Sequence, residues 1–254
     1  MYSTTCTSTT IAGNISIDSV GGAPALVGFT IEGDVTIWSV DTDFADNALV
    51  GGLLTWHYAN GSITGSSFTG GDTAIALDYY ASPEISSNAF SGQTSRGVYC
   101  TIGSSPHILG NPFDSIEESA IYCSSDPTIE SNDITSSYVG ITVTGGALVF
   151  DNVISNGSTG IYGYDSEAEI TANTLTGNTV GIWLADSAGT VLNNVLVDSG
   201  TGIGVEGGIT DFIYNEVSAT PDLLHNTVFG SSSAGVSVSS GTGTMVEKSE
   251  PTLI

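Results

Sequence analysis

Pro127-Thr128-Ile129-Glu130-Ser131-Asn132-Asp133-Ile134 is one copy of a frame that fills much of this 254-residue chain. Its asparagine recurs as Asn88, Asn111, Asn132, Asn152, Asn173, Asn194 and Asn215, at intervals of 23, 21, 20, 21, 21 and 21 residues. Three places before each stands an apolar residue (Ile85, Ile108, Ile129, Val149, Ile170, Val191, Phe212), and two places after it another (Phe90, Phe113, Ile134, Ile154, Leu175, Leu196, Val217). Further on comes a small-then-aliphatic pair: Gly97-Val98, Ala120-Ile121, Gly140-Ile141, Gly160-Ile161, Gly181-Ile182 and Gly202-Ile203. Self-similarity at a fixed period of this length marks a solenoid, in which each repeat buries its apolar side only by stacking on its neighbours.

A leucine-rich repeat also carries a recurring Asn, but it requires a leucine-dominated pattern and a helical return segment. These repeats are rich in Gly, Ser, Thr, Asn, Ile and Val, no stretch has helical periodicity, and Gly181-Ile182-Trp183-Leu184 reads as a short strand. The expectation is an all-β coil. The frame Pro-x-Ile-x-x-Asn-x-apolar, present from Pro83 to Phe90, Pro106 to Phe113 and Pro127 to Ile134, resembles the repeats of right-handed parallel β-helix proteins, the superfamily of pectate lyases, polygalacturonases and phage tailspikes. That resemblance implies three short parallel strands per turn. With 20–23 residues per turn the chain predicts a right-handed parallel β-helix of roughly ten turns, as one domain over residues 1–254. The repeats are clearest over 83–217, a loop insertion is expected at 208–220, and the ends 1–24 and 241–254 read as irregular.

Rungs of such a coil lie about 4.8 Å apart, so an Asn at one register forms a column of amides, each able to donate to the next. Upstream the frame continues as Ile63-Ser66-Phe68, with Ser in place of Asn, then Phe44-Asn47-Leu49 and Leu26-Phe29-Ile31. Ile11 with Asn14 begins the coil. Downstream, Leu223-Asn226-Val228 also fits, and Asn226 follows Asn215 by only 11 residues, so one of the two lies on an insertion.

Only two basic residues, Arg96 and Lys248, stand against 27 acidic ones, for a net charge of -25. Binding to nucleic acid through phosphate neutralisation is excluded on this composition, and docking to an anionic membrane is equally disfavoured. The chain is only 11% charged and 40% hydrophobic, which separates it from disordered acidic tails. No segment is long enough to span a membrane. The first residues, Met1-Tyr2-Ser3-Thr4-Thr5-Cys6, lack a basic region followed by an apolar core, so no signal peptide is expected. Two settings fit: a mature segment of an extracellular or cell-surface protein, or the interior of a salt-rich cell in which acidity keeps proteins soluble. The resemblance favours the first.

The residues able to carry chemistry are few. Cys100 and Cys123 occupy the same register on neighbouring rungs and are expected to point inward, either as a disulfide or as two small buried hydrophobes. Cys6 is left over. The resemblance to polygalacturonases implies paired aspartates with Gly-His-Gly, and the resemblance to pectate lyases implies acid-bound calcium with a basic proton acceptor. Neither catalytic motif is found, and the lone Arg96 reads as a solvated or ion-paired side chain. His57, His107 and His225 fall at different registers. Asp165 and Asp186 occupy equivalent positions on adjacent rungs with Glu167 beside the first, a grouping that would suit Ca2+. Chance stacking of an acid-rich exterior gives the same pattern.

The residues that follow the inward aliphatic of each pair read Tyr99, Tyr122, Thr142, Tyr162, Trp183 and Gly204. Tyr99, Tyr122, Tyr162 and Trp183 therefore form an outward stripe. Aromatic faces stack on sugar rings and also make protein interfaces, while Tyr and Trp are in any case good strand residues. The function expected is a non-catalytic extracellular or cell-surface module for adhesion, glycan binding or surface structure, with a glycan or a surface protein as partner. The alternatives are a polysaccharide lyase or glycoside hydrolase of the same fold, with Asp165, Asp186 and Glu167 as its acids, and a fibre or coat subunit assembling end to end or laterally.

Overall fold

A computed structural model describes residues 9–18, 22–101 and 103–206 in full, and beyond them the backbone of the strands Asp222–Leu224, Thr227–Phe229, Ala234–Val238 and Met245–Val246. Cys6, Asn215, Asn226, His225 and Lys248, with the insertion expected at 208–220, lie outside the described residues.

The chain winds through three parallel sheets of eleven strands each, visiting them in the same order on every turn, so each strand pairs with the third strand after it. Sheet I contains the strands Ser67–Thr69, Ala89–Ser91, Pro112–Asp114 and Asp133–Thr135. Sheet II contains Thr73–Asp78, Arg96–Cys100, Ser119–Cys123 and their successors, and sheet III contains Glu84–Ser86, His107–Leu109 and Thr128–Glu130. Thr9–Ile11 and Ile15–Asp18, within the stretch expected to be irregular, already pair with Phe29–Ile31 and Val35–Trp38. Met245–Val246, at the other end, continues sheet III.

Each position of the repeat frame becomes one column of the lumen. Ile85, Ile108, Ile129, Val149, Ile170 and Val191 are successive partners in sheet III. Phe68, Phe90, Phe113, Ile134, Ile154, Leu175 and Leu196 are partners in sheet I, and Val98, Ile121, Ile141, Ile161, Ile182 and Ile203 in sheet II. All are buried. Identical registers also put like rings on top of each other: Phe68, Phe90 and Phe113 stack at 4.9 and 4.4 Å between centroids, within 7° of parallel. Each fully buried side chain of this size contributes roughly 1.5–3 kcal/mol relative to exposure.

Between sheets III and I the chain turns on two residues. The first is left-handed, with φ of 55 to 57° at Ser87, Ser131, Asp151, Ala172 and Asn193, and the second is the recurrent Asn. Each Asn amide donates to the backbone carbonyl of the sheet III aliphatic one rung back, at 2.7–3.0 Å for Asn88, Asn111, Asn132, Asn152, Asn173 and Asn194. Its backbone N–H and its amide both donate to Oδ1 of the next Asn, at 2.8–3.1 Å from Asn88 through Asn173. A bend between stacked strands strands polar backbone groups in a dry interior, and this column satisfies them. Ser66 occupies the same column, donating its backbone N–H to Asn88 Oδ1 at 3.0 Å and accepting from the Asn47 N–H at 3.1 Å. Downstream, sheet III passes from Val191 to Leu223 and sheet I from Leu196 to Val228.

Cys100 and Cys123 are register partners in sheet II and are both buried. They are free thiols, not the disulfide considered from the sequence. Burial pushes the Cys123 thiol well up, and the adjoining Cys100 adds to the effect. Two Cβ vectors pointing the same way from stacked parallel strands are a poor start for disulfide geometry.

Candidate functional site

Sheet II has the longest strands, five or six residues over much of its length, and its outer face is the broadest regular surface of the coil. Period-two alternation sends Val98, Ile121 and their equivalents inward and leaves the next residue outside. The outer column runs Ala76, Tyr99, Tyr122, Thr142, Tyr162, Trp183, Gly204 in unbroken register. Tyr99, Tyr122, Tyr162 and Trp183 are all half-buried.

The column divides into two parts. Thr142, at 5% exposure, donates to or accepts from the Ser119 hydroxyl at 3.1 Å and separates two aromatic pairs. In the first pair the rings of Tyr99 and Tyr122 are 5.4 Å apart and tilted by 50°. The guanidinium of Arg96 stands over both, 4.7 Å from one centroid and 4.9 Å from the other, and reaches Glu118 Oε2 at 3.6 Å. A cation thus already holds these two faces, in the ion-paired role expected for Arg96. In the second pair, Trp183 leans along the coil over Gly204, where an added Cβ would come within 2.2 Å of its ring. Glycine at 204 leaves the room that the indole occupies. Burial pushes the Tyr162 phenol up, and Tyr164, Glu206, Asp186 and Tyr122 reinforce the shift.

The carboxylates grouped from the sequence behave differently. Asp165 and Asp186 do occupy equivalent bends, with φ of 47 and 48° and backbone N–H groups donating to Ala185 and Glu206 carbonyls. The left-handed bend at Asp165 turns the chain toward sheet III before Glu167, whose neighbour Ser166 is buried. Among the described residues no three His, Cys, Asp or Glu side chains come close enough to hold a metal ion, so Asp165, Asp186 and Glu167 do not form a cluster of three carboxylates. His57 lies on sheet II, whereas His107 lies on sheet III, where Nε2 is 3.0 Å from Glu130 Oε2.

A second aromatic group, not foreseen from the sequence, lies toward the N-terminal end of the same face. Trp38 and His57 are register partners with centroids 4.6 Å apart, and His57 is followed in the column by Asp78. Tyr58 and Tyr79, in left-handed bends just beyond the strands, stack on each other at 5.1 Å and 15°. Trp38 lies 5.8 Å from Tyr58 and 6.1 Å from Tyr79. The signal was present as aromatic residues at rung spacing in Trp38, His57-Tyr58 and Tyr79-Tyr80, but it falls two to four positions beyond the column followed from Tyr99, which continues upstream as Ala76, Thr55 and Thr36. Of the three tryptophans only Trp56 faces the lumen, fully buried with Nε1 donating to the Asn60 carbonyl at 3.3 Å.

Several solved structures share this fold, and two of them serve for comparison. An alginate lyase from Paenibacillus sp. str. FPU-7 superposes with a TM-score of 0.54 at 16% identity, over 92% of this chain and 99% of that one. A tailspike protein of E. coli bacteriophage HK620 superposes with a TM-score of 0.50 at 11% identity, over 90% of this chain, which spans 57% of the tailspike chain. At these identities the likeness is one of fold. No curated protein sequence matches the chain at a significant level. The profile described as right handed beta helix region matches residues 3–149 and again 120–250, and the chain therefore belongs to that right-handed β-helix family.

Proposed function

We propose that the protein is a non-catalytic carbohydrate-binding β-helix, displayed outside the cell, and that it binds along the outer face of sheet II. The observation that carries this reading is the pair Tyr162 and Trp183, register partners on adjacent rungs whose rings lie half-buried on an open strand face. An extended glycan offers a ring about every 5 Å, close to the rung step of about 4.8 Å, so successive rings meet successive aromatics. Stacking requires no basic residue, which suits a face whose one described cation, Arg96, is engaged by Glu118 and two tyrosines. A polysaccharide-cleaving enzyme, the alginate lyase, has the same coil, which supports the suitability of this scaffold for sugar polymers. The polygalacturonase and pectate-lyase catalytic motifs are not found in the sequence, which favours binding over turnover.

The test uses a panel of neutral, amino and uronate polysaccharides, read for retention in affinity electrophoresis and for release of new chain ends. Retention without cleavage is the expected outcome. The double variant Trp183→Ser with Tyr162→Ser is expected to lose retention while its unfolding midpoint stays near that of the parent, since outer-face residues add little to the lumen. Normal retention by the double variant refutes the assignment of the face, and release of chain ends refutes the non-catalytic reading.

A further inference from the structure

We infer that Trp38, His57, Tyr58 and Tyr79 form a second stacking subsite on sheet II, and that its ligand is an uncharged hexose ring of a β-1,4-linked chain. The inference rests on the glycan-binding reading above and adds to it a site and a charge class. Trp38 is 38% exposed, Tyr58 50% and Tyr79 37%, a concentration of open ring surface on a stretch whose lumen is already closed by Ile37, Trp56 and Leu77. Core packing accounts for those three and not for the outer rings. The outer rings are held in place by one another, with His57 centred 4.6 Å from Trp38 and 5.6 Å from Tyr79, so the surface is preformed and little ordering is needed on binding.

A polar handle stands at the edge in Asp78, whose Oδ2 lies 3.9 Å from the buried His57 Nδ1. Asp78 Oδ1 accepts from the Thr101 hydroxyl at 2.6 Å, which anchors the carboxylate and leaves Oδ2 at the surface as an acceptor for a sugar hydroxyl. Aromatic faces with a few convergent polar groups are the composition of a sugar site.

Charge sets the class. The column through the subsite reads Asp18, Trp38, His57, Asp78 on four consecutive rungs, so a carboxylate flanks the rings at each end. Burial lowers the His57 pKa, so near neutral pH the imidazole supplies no positive charge against which a uronate could be placed. A uronate ring here would lie beside the Asp78 carboxylate with no Lys or Arg among the described residues of the subsite, which an uncharged ring avoids. From Trp38 to Trp183 the face spans seven rung steps, about 34 Å at about 4.8 Å each, so one extended chain of roughly seven rings could engage both aromatic groups.

The experiment measures binding of cellohexaose and of a β-1,4-linked mannuronate hexamer by calorimetry and tryptophan fluorescence, using the full chain. Four proteins are compared: parent, Trp38→Ala with Tyr79→Ala, Trp183→Ser with Tyr162→Ser, and Trp38→Phe, which keeps a ring. Cellohexaose is expected to bind the parent, the first double variant on the order of tenfold more weakly, and Trp38→Phe nearly as well as the parent, while the mannuronate hexamer gives no response. Unfolding midpoints are recorded so that loss of binding is read only from folded protein. Undiminished binding by the Trp38/Tyr79 variant, with loss in the Trp183/Tyr162 variant, overturns this subsite and leaves the general reading standing. Binding of mannuronate equal to or tighter than that of cellohexaose, or no response of the parent to cellohexaose, overturns the assigned class.

Discussion

Replacing Asn173 by Leu is the sharpest test of the amide column. Asn173 is fully buried; its amide donates to the carbonyls of Val149 at 2.9 Å and Thr171 at 3.1 Å and to Asn194 Oδ1 at 2.9 Å. Its Oδ1 accepts from the backbone N–H of Asn152 at 3.0 Å and from the Asn152 amide at 2.9 Å. Leucine shares the branching at Cγ, is larger, and removes all five. The Asn152 amide keeps two acceptors, the Ile129 and Phe150 carbonyls, and Asn194 Oδ1 keeps the N–H of residue 173, so neither is orphaned. The Asn152 backbone N–H has no such substitute. One stranded buried donor costs about 1–3 kcal/mol, and loss of the amide's own bonds adds on the order of 1 kcal/mol, for a total of roughly 2–4 kcal/mol. At about 2–4 °C per kcal/mol for a domain of this size, the midpoint should fall by roughly 4–16 °C. Circular dichroism during heating measures it. Asn173→Ser should cost less, because Ser66 already occupies this column and still accepts a neighbour's N–H. A midpoint for Asn173→Leu within error of the parent, or a larger loss for Ser than for Leu, would refute the account of the column as a set of obligatory hydrogen bonds.

Gly204→Ala should push the Trp183 ring off the sheet, because the new Cβ would lie 2.2 Å from it, and the expected readout is red-shifted emission with an unfolding midpoint close to that of the parent; unchanged emission would refute the placement of the ring. Below pH 6.5 stability should decline: burial lowers the folded pKa of His57 from that value, so the unfolded chain takes up the proton first, and denaturant midpoints should drop as pH falls from 6.5 toward the folded value. His57→Gln should flatten that part of the profile. At the alkaline end the sign is opposite, since the Tyr162 phenol is raised above 10.0 and stability should be lost as pH rises past that point, an effect that Tyr162→Phe removes. Added salt should raise the thermal midpoint of a chain with net charge -25 by screening self-repulsion, and a midpoint flat across the titration would remove that expectation.

The coil itself was legible in the chain because a solenoid converts sequence period directly into contact. Residues one period apart, such as Ile108 and Ile129 or Asn132 and Asn152, become neighbours, so the lumen columns, the Asn column and the outward stripe from Tyr99 to Trp183 could be read from spacing alone. What spacing could not decide was anything settled between columns. The reach of Arg96 across Tyr99 and Tyr122, the lean of Trp183 over Gly204, and the meeting of Tyr58 and Tyr79 with Trp38 all depend on side-chain direction and on left-handed bends with no single residue signature. Likewise, Asp165, Glu167 and Asp186 look adjacent in sequence and register, yet the bend at Asp165 keeps them from forming a three-ligand set. Stacking is one-dimensional and set by backbone hydrogen bonds every rung, so it follows from the period; the outer surface is two-dimensional, and which side chains meet there is decided only once the sheets and their bends exist.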